Sequence, residues 1–99
     1  MKLENTLQLM TSNDYKKRFV GEYLQTKIRY ENLKNFCDKI EVSYITETDE
    51  PKHDCPYELL RRQQATMQEY LHILELRAII EGINLDLFYW EDYFKINEE

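Results

Sequence analysis

The sequence predicts an all-α protein: a long antiparallel helical hairpin with a short N-terminal helix and an aromatic, acidic C-terminal tail. Three observations carry that prediction. The 99 residues hold only two Gly and two Pro, too few turn formers for a sandwich or barrel of many short strands. Two long stretches carry apolar residues at helical spacing. Each stretch opens on a helix-start signal. A chain of this length makes one small domain, residues 1–99. It divides into an arm at 1–10, a helix at 12–41, a connection at 42–55, a second helix at 56–82 and a tail at 83–99.

The arm carries Leu3, Leu7 and Met10 at helical spacing, which suggests a short amphipathic helix. The first long helix opens at Thr11-Ser12-Asn13-Asp14, with Thr11 as cap and Asp14 bonding back to it as in a capping box. Along it Tyr15, Phe19, Tyr23, Tyr30, Leu33, Cys37 and Ile40 fall in one arc of about 100°, the width of a core-facing stripe. Val20, Leu24 and Ile28 recur on another face beside Gly21. Glycine inside a helix costs about 1 kcal/mol relative to alanine, so something packs closely there.

Between the helices, Val42-Ser43-Tyr44-Ile45-Thr46 is β-prone and reads as a brief edge strand before the polar turn at Thr48-Asp49-Glu50-Pro51. Pro56 takes the first position of the second helix, where its missing N–H does no harm. Leu60, Gln64, Met67, Leu71, Leu74 and Ala78 follow a 4-3-4-3-4 spacing, the seam of antiparallel helix pairing. Ile73, Leu76 and Ile80 lie off this seam. The two helices, about 45 Å and 39 Å long, match well enough to lie side by side. Beyond Gly82 runs Phe88-Tyr89-Trp90-Glu91-Asp92-Tyr93-Phe94, an aromatic patch that must fold over the hairpin or dock on another chain.

Two helices cannot cover four apolar faces, so the chain is expected to self-associate as a homo-oligomer. Val20, Gly21, Leu24 and Ile28, with Phe88, Trp90 and Phe94, form the expected surface between protomers.

Charge narrows the function classes. Net charge is −6, divided as +3 over residues 1–40, −4 over 41–55, −1 over 56–82 and −4 over 83–99. Such a dipolar layout disfavours duplex nucleic acid, which rewards a broad basic surface. No apolar run approaches 18 residues and no basic-then-apolar leader opens the chain, so a soluble, intracellular protein with no membrane partner is expected. No Gly-rich phosphate loop, nucleophile elbow or His-Glu-x-x-His occurs, and the expectation is a non-enzymatic protein needing no cofactor. Cys37, His53, Cys55 and His72 are zinc-type ligands without paired short spacing, and no metal site is expected of them.

Basic residues interleaved with aromatics are the more informative group. Lys16, Lys17 and Arg18 precede Tyr23, Lys27, Arg29 and Tyr30, while Arg61 and Arg62 open the second helix. Guanidinium groups grip phosphates at two points and tyrosine rings stack on bases. Arg18, Arg29, Arg61 and Arg62 are therefore candidate phosphate ligands, and Tyr23 and Tyr30 candidate base platforms, for a phosphate-bearing nucleotide. The acidic residues Glu41, Glu47, Asp49, Glu50 and Asp54, with Glu91, Asp92, Glu98 and Glu99, offer an alternative as carboxylates for a basic groove in another protein.

The stretch from Tyr15 to Ile40 carries a resemblance. It is clearer from Cys55-Pro56-Tyr57-Glu58-Leu59-Leu60 through Gln64, Met67, Tyr70-Leu71, Leu74-Glu75, Arg77-Ala78 and Ile80-Glu81-Gly82-Ile83. This pattern, over residues 12–83, resembles a family of small phage and prophage helical-hairpin proteins related to an uncharacterised product of crAss-like phages. The resemblance implies a non-enzymatic antagonist of host anti-phage defence, acting in the host cytoplasm. Small helical-hairpin phage proteins include sponges for cyclic nucleotide immune signals, while small acidic ones include inhibitors of a CRISPR nuclease. A cyclic nucleotide or a host defence protein is thus the implied partner; a phage structural or accessory role is a third alternative. The tail from Asp86 onward departs from the family pattern.

Overall fold

A computed structural model describes residues 2–96. Four helices follow in order: α1 (Asn5–Met10), α2 (Tyr15–Thr46), α3 (Tyr57–Glu81) and α4 (Leu87–Ile96). The described residues contain no strand, and α2 and α3 pack against each other as an all-α hairpin.

Cross-hairpin hydrogen bonds fix the antiparallel register. Tyr15 donates to Glu81 at 2.8 Å, Tyr23 to Glu75 at 2.5 Å, and Tyr70 to Glu22 at 2.5 Å. At the other end of the hairpin Arg61 reaches Asp38 at 3.0 Å and Glu41 at 2.7 Å. The heptad seam of α3 lies inward: Leu71, Leu74 and Ala78 are buried, with Leu60, Gln64 and Met67 half-buried. On α2, Phe19, Tyr23, Cys37 and Ile40 are buried and Tyr30 and Leu33 half-buried. Tyr15 departs from the expected stripe and is exposed, because at the first residue of the helix it projects past the core to Glu81.

Three boundaries differ from expectation. Thr11 closes α1 instead of opening α2: its N–H donates to the Leu7 carbonyl at 3.1 Å and its hydroxyl does so at 2.8 Å. Asp14 is the N-cap of α2, its carboxylate accepting from the Lys16 amide at 3.0 Å. The expected strand at 42–46 is the last turn of α2. Extending a formed helix is far cheaper than nucleating a new element, and the buried Ser43 continues the inward face one turn past Ile40. Its hydroxyl donates to the Ile40 carbonyl at 2.6 Å. The helix stops at Glu47, whose φ of 55° is left-handed. Pro56 stands one place outside α3 as its N-cap.

The short arm folds as expected but turns its other side inward. Thr6 and Leu9 are buried, while Leu3 and Leu7 are exposed. Thr6 enters the interior because its hydroxyl is satisfied by the Leu3 carbonyl at 2.6 Å.

The ridge expected between protomers is covered from within the chain. A Cβ on Gly21 would lie 2.8 Å from both Cγ and N of Met10 and 2.9 Å from Cβ of Leu9, so the close neighbour that Gly21 admits is α1. Val20 and Leu24 are each 1% exposed and join Leu9, Trp90 and Phe94 in one buried cluster with Phe19, Leu71 and Leu74. Ile28 is half-buried and shares a cavity with Leu87 and Glu91 of α4. Val20, Gly21, Leu24, Trp90 and Phe94 therefore offer no free surface to a neighbour, and of the expected interface set Phe88 alone stands well exposed, at 77%. The two short helices α1 and α4 supply the cover that the two long ones lack.

Candidate functional site

The six candidate ligand residues do not converge. At 100° per residue Arg18 and Arg29 lie about 120° around α2 from Tyr23 and Tyr30, so one ligand cannot meet both sets on that helix. The Arg18 guanidinium donates to the Ser12 carbonyl at 2.9 Å and braces the α1–α2 turn. Tyr23 is buried, its hydroxyl held by Glu75 and its ring covered by the Lys27 ammonium at 5.8 Å from the centroid. Burial and then the Glu75 carboxylate push its phenol well above the ordinary range. Arg29 is exposed. Arg61 is spent on structure: besides Asp38 and Glu41 it donates to the Tyr57 hydroxyl at 2.8 Å and to Gln64 at 2.5 Å. Arg62 is exposed on the outer side of α3, in a groove with Ala65, Thr66, Glu69, Tyr70 and Ile73.

Tyr30 lines a groove of about 510 Å³ between α2 and α3, with Lys27, His72, Glu69 and Glu75 among its walls. Two carboxylates beside one ammonium make that groove a poor place for a phosphate.

A smaller cleft combines the chemistry that the sequence scatters. Asp14, Lys16, Lys17 and Val20 at the start of α2, Gly82, Ile83 and Asn84 after α3, and Tyr89 and Trp90 of α4 enclose about 210 Å³. Each wall has a local cause. Gly82 ends α3 at φ 68°, a conformation that costs a side-chain-bearing residue about 1–2 kcal/mol. No atom lies within 4 Å of a Cβ built there, so backbone conformation alone calls for glycine. The Ile83 amide then donates to the Ala78 carbonyl at 2.9 Å, turning the chain back over α2. The Asn84 side chain accepts from the Asp86 amide at 2.8 Å, and the Asp86 carboxylate accepts from the amides of Phe88 at 2.8 Å and Tyr89 at 3.3 Å, starting α4. The Trp90 indole N–H donates to the Asn84 carbonyl at 2.7 Å and locks helix to turn.

Two lysines and one acidic residue, Asp14, which already caps α2, are among the walls of this cleft, and Lys16 lies near enough to Glu81 to help hold that carboxyl low. Tyr89 is half exposed and stands edge-on to Trp90 at 5.0 Å, leaving ring surface for stacking. Lys17 also lies 5.7 Å from the Tyr93 ring centroid. The arrangement suits a phosphate carried beside a planar base. The sequence groups Lys16 and Lys17 with the basic stretch and leaves the tail aromatics either over the hairpin or at an interface; the fold takes the first course for Trp90 and Phe94. The Gly82 break and the Asn84-x-Asp86 turn signals were the clues that the tail folds back.

The residues of zinc-ligand type are placed apart from this cleft. Cys37 is buried in the hairpin and His72 lines the α2–α3 groove. His53 directs Nδ1 to the Cys55 carbonyl at 2.6 Å and Nε2 to Glu50 at 3.2 Å. Two acceptors favour a proton on each nitrogen, and the imidazole pKa is raised, by the Cys55 carbonyl first and Glu50 second. Of the acidic residues in the connection, Glu50 also accepts from Tyr44, and Glu41 is held by Arg61. Glu98 and Glu99 lie outside the described residues. No helix among the described residues is long and apolar enough to cross a membrane.

A family model, Sequestin, matches residues 13–80, more than half of the chain. Neither a curated protein nor a solved structure matches it.

Proposed function

The chain belongs to the Sequestin family, and from that premise we propose that it is a phage-encoded, non-enzymatic protein that binds and sequesters a nucleotide signal of host anti-phage immunity in the host cytoplasm. The family name supports sequestration. The observation that carries the nucleotide reading is the cleft whose walls bring Lys16 and Lys17 together with the half-exposed Tyr89. The lysines take the phosphate as charge-assisted donors, and the tyrosine ring takes the base. Self-association belongs to this reading, since small capturing proteins gain core and binding surface where copies meet.

The alternative, an acidic inhibitor of a defence nuclease, has less to stand on: Glu41 and Glu50 are engaged within the chain.

Calorimetry against a panel of cyclic mono- and dinucleotides tests the proposal. Charge-assisted hydrogen bonds contribute about 1.5–3 kcal/mol each, so a Lys16→Glu, Lys17→Glu variant is expected to bind at least about a hundredfold more weakly than the native chain. Absence of heat with every nucleotide overturns the function; equal heat in the variant overturns the site.

A further inference from the structure

We propose that the outer face of α3 is where a second copy of this chain docks, helix against helix and antiparallel. The inference rests on the self-association reading and gives it a surface different from the one the chain covers itself. Arg62, Thr66, Glu69, Ile73, Leu76 and Ile80 follow the same 4-3-4-3-4 spacing as the inward seam, displaced by two residues. A helix with one such seam needs one partner; α3 has two seams, and α2 occupies only the first. The second is left in solvent, with Ile73 44%, Leu76 48% and Ile80 83% exposed, and Ile79 beside them at 79%.

Area and charge decide the occupant. Side chains of this size at those exposures present about 500 Å² of apolar surface per copy, and with the flanking Glu69 and His72 a two-fold pairing approaches the ~1,200 Å² from which stable interfaces start. A parallel pairing sets Arg62 on Arg62 and Glu69 on Glu69, stacking like charges on the seam. An antiparallel pairing avoids both. It sets Ile73 against Leu76 of the partner subunit, and Leu76 against Ile73 of the partner subunit. Ile80 then lies on the aliphatic stem of the partner's Glu69, and Ile79 beside the partner's His72. The face is complementary to itself under a two-fold axis, as an isologous interface requires. At the far end of α2 the exposed Val42 and Ile45 are a single i, i+3 pair with no further apolar residue continuing the 4-3-4 repeat.

Light scattering on the full chain at tens of micromolar, with no nucleotide present, tests this. The expected mass is twice 12.2 kDa. Ile73→Glu, Leu76→Glu is expected to halve it while far-ultraviolet dichroism keeps its helical signal, and Ile45→Glu is expected to leave it unchanged. Ile73→Cys, Leu76→Cys in a Cys55→Ser background is expected to oxidise to a covalent dimer, a readout that needs no destabilising charge. A native monomer, a dimer that survives the double Glu substitution, or a double Cys variant that stays single under oxidation each overturns the proposal. All are read without ligand, so a failure of nucleotide binding and a failure of docking are distinguished.

Discussion

Replacing Gly21 by alanine sets two known effects against each other. In an isolated helix the change stabilises by about 1 kcal/mol. Here the new Cβ meets Met10 Cγ at 2.8 Å, which can swing aside, and also Met10 N at 2.8 Å and Leu9 Cβ at 2.9 Å, which move only with α1 itself. Overpacking of this kind costs about 1–3 kcal/mol. The ceiling is the cost of undocking α1, chiefly the burial of Leu9, about 1.5–3 kcal/mol for a leucine. Because two of the three close atoms move only with α1, the upper part of that range, about 2–3 kcal/mol, applies, and the net expectation is a loss of about 1–2 kcal/mol, with a melting temperature lower by about 4–8 °C for each kcal/mol in a domain of this size. Thermal and urea unfolding measure it, and a second variant locates it. If Gly21→Ala acts by loosening α1, then Leu9→Ala costs less in the Gly21→Ala background than in the native chain, because the pair shares one contact. Unchanged or increased stability of Gly21→Ala would refute the reasoning, since it would mean that α1 does not sit on α2 as closely as described.

Other expectations follow from single sites. Gly82→Ala, at a left-handed position with open space for a Cβ, should cost about 1–2 kcal/mol in urea unfolding and weaken nucleotide binding as the turn shifts; native stability would show that the turn readily adopts another conformation. The carboxyls of Glu81, held below 4.5 mainly by the Tyr15 hydroxyl, and of Asp38, held below 3.8 by Lys34 and then Arg61, stabilise the fold above those unfolded values. That stabilisation is lost as pH falls through the lower folded values, so the urea midpoint should drop below about pH 4.5 and the drop should shrink in Tyr15→Phe. His53 has the opposite sign: its pKa is raised above 6.5, so its contribution is full below that pH and fades as pH rises through the folded value. A His53→Ala variant should therefore differ from the native chain more at pH 5.5 than at pH 9, and a constant difference would contradict the paired acceptors. Tyr89→Ala should weaken nucleotide binding about tenfold or more, the contribution of one stacked base, and an unchanged affinity would remove Tyr89 from the site.

What the sequence discloses tracks how local each cause is. The inward seam of α3 was legible because a heptad spacing needs only the helix itself to be read, and the folded chain buries its three C-terminal members. The cap of α2 lies three positions beyond the one the sequence favours because Thr11 and Asp14 are both able caps, and only the packing of Leu9 against α2 decides which helix each one serves. Val42 and Ile45 carry β propensity but sit in helix because Ser43 and Ile40 extend the buried face. Gly21 showed that something approaches closely without showing what, since a contact between residues far apart in the chain leaves no local trace. The same limit applied to the site. Lys16, Lys17 and Tyr89 are more than 70 residues apart in sequence, and only the left-handed Gly82 and the Asn84–Asp86 turn bring them together, whereas the arginines that stood out as phosphate ligands include Arg61, consumed by Asp38 and Glu41.

Trp90 is the single tryptophan of the chain and forms part of the cleft wall, 5.0 Å from the Tyr89 ring. Its fluorescence during titration with the cyclic nucleotide giving the largest calorimetric response reports directly on whether a base enters beside it. The account predicts a saturable change with the calorimetric dissociation constant, lost in Lys16→Glu, Lys17→Glu. Calorimetric binding with silent Trp90 emission would place the ligand elsewhere on the protein and contradict the account.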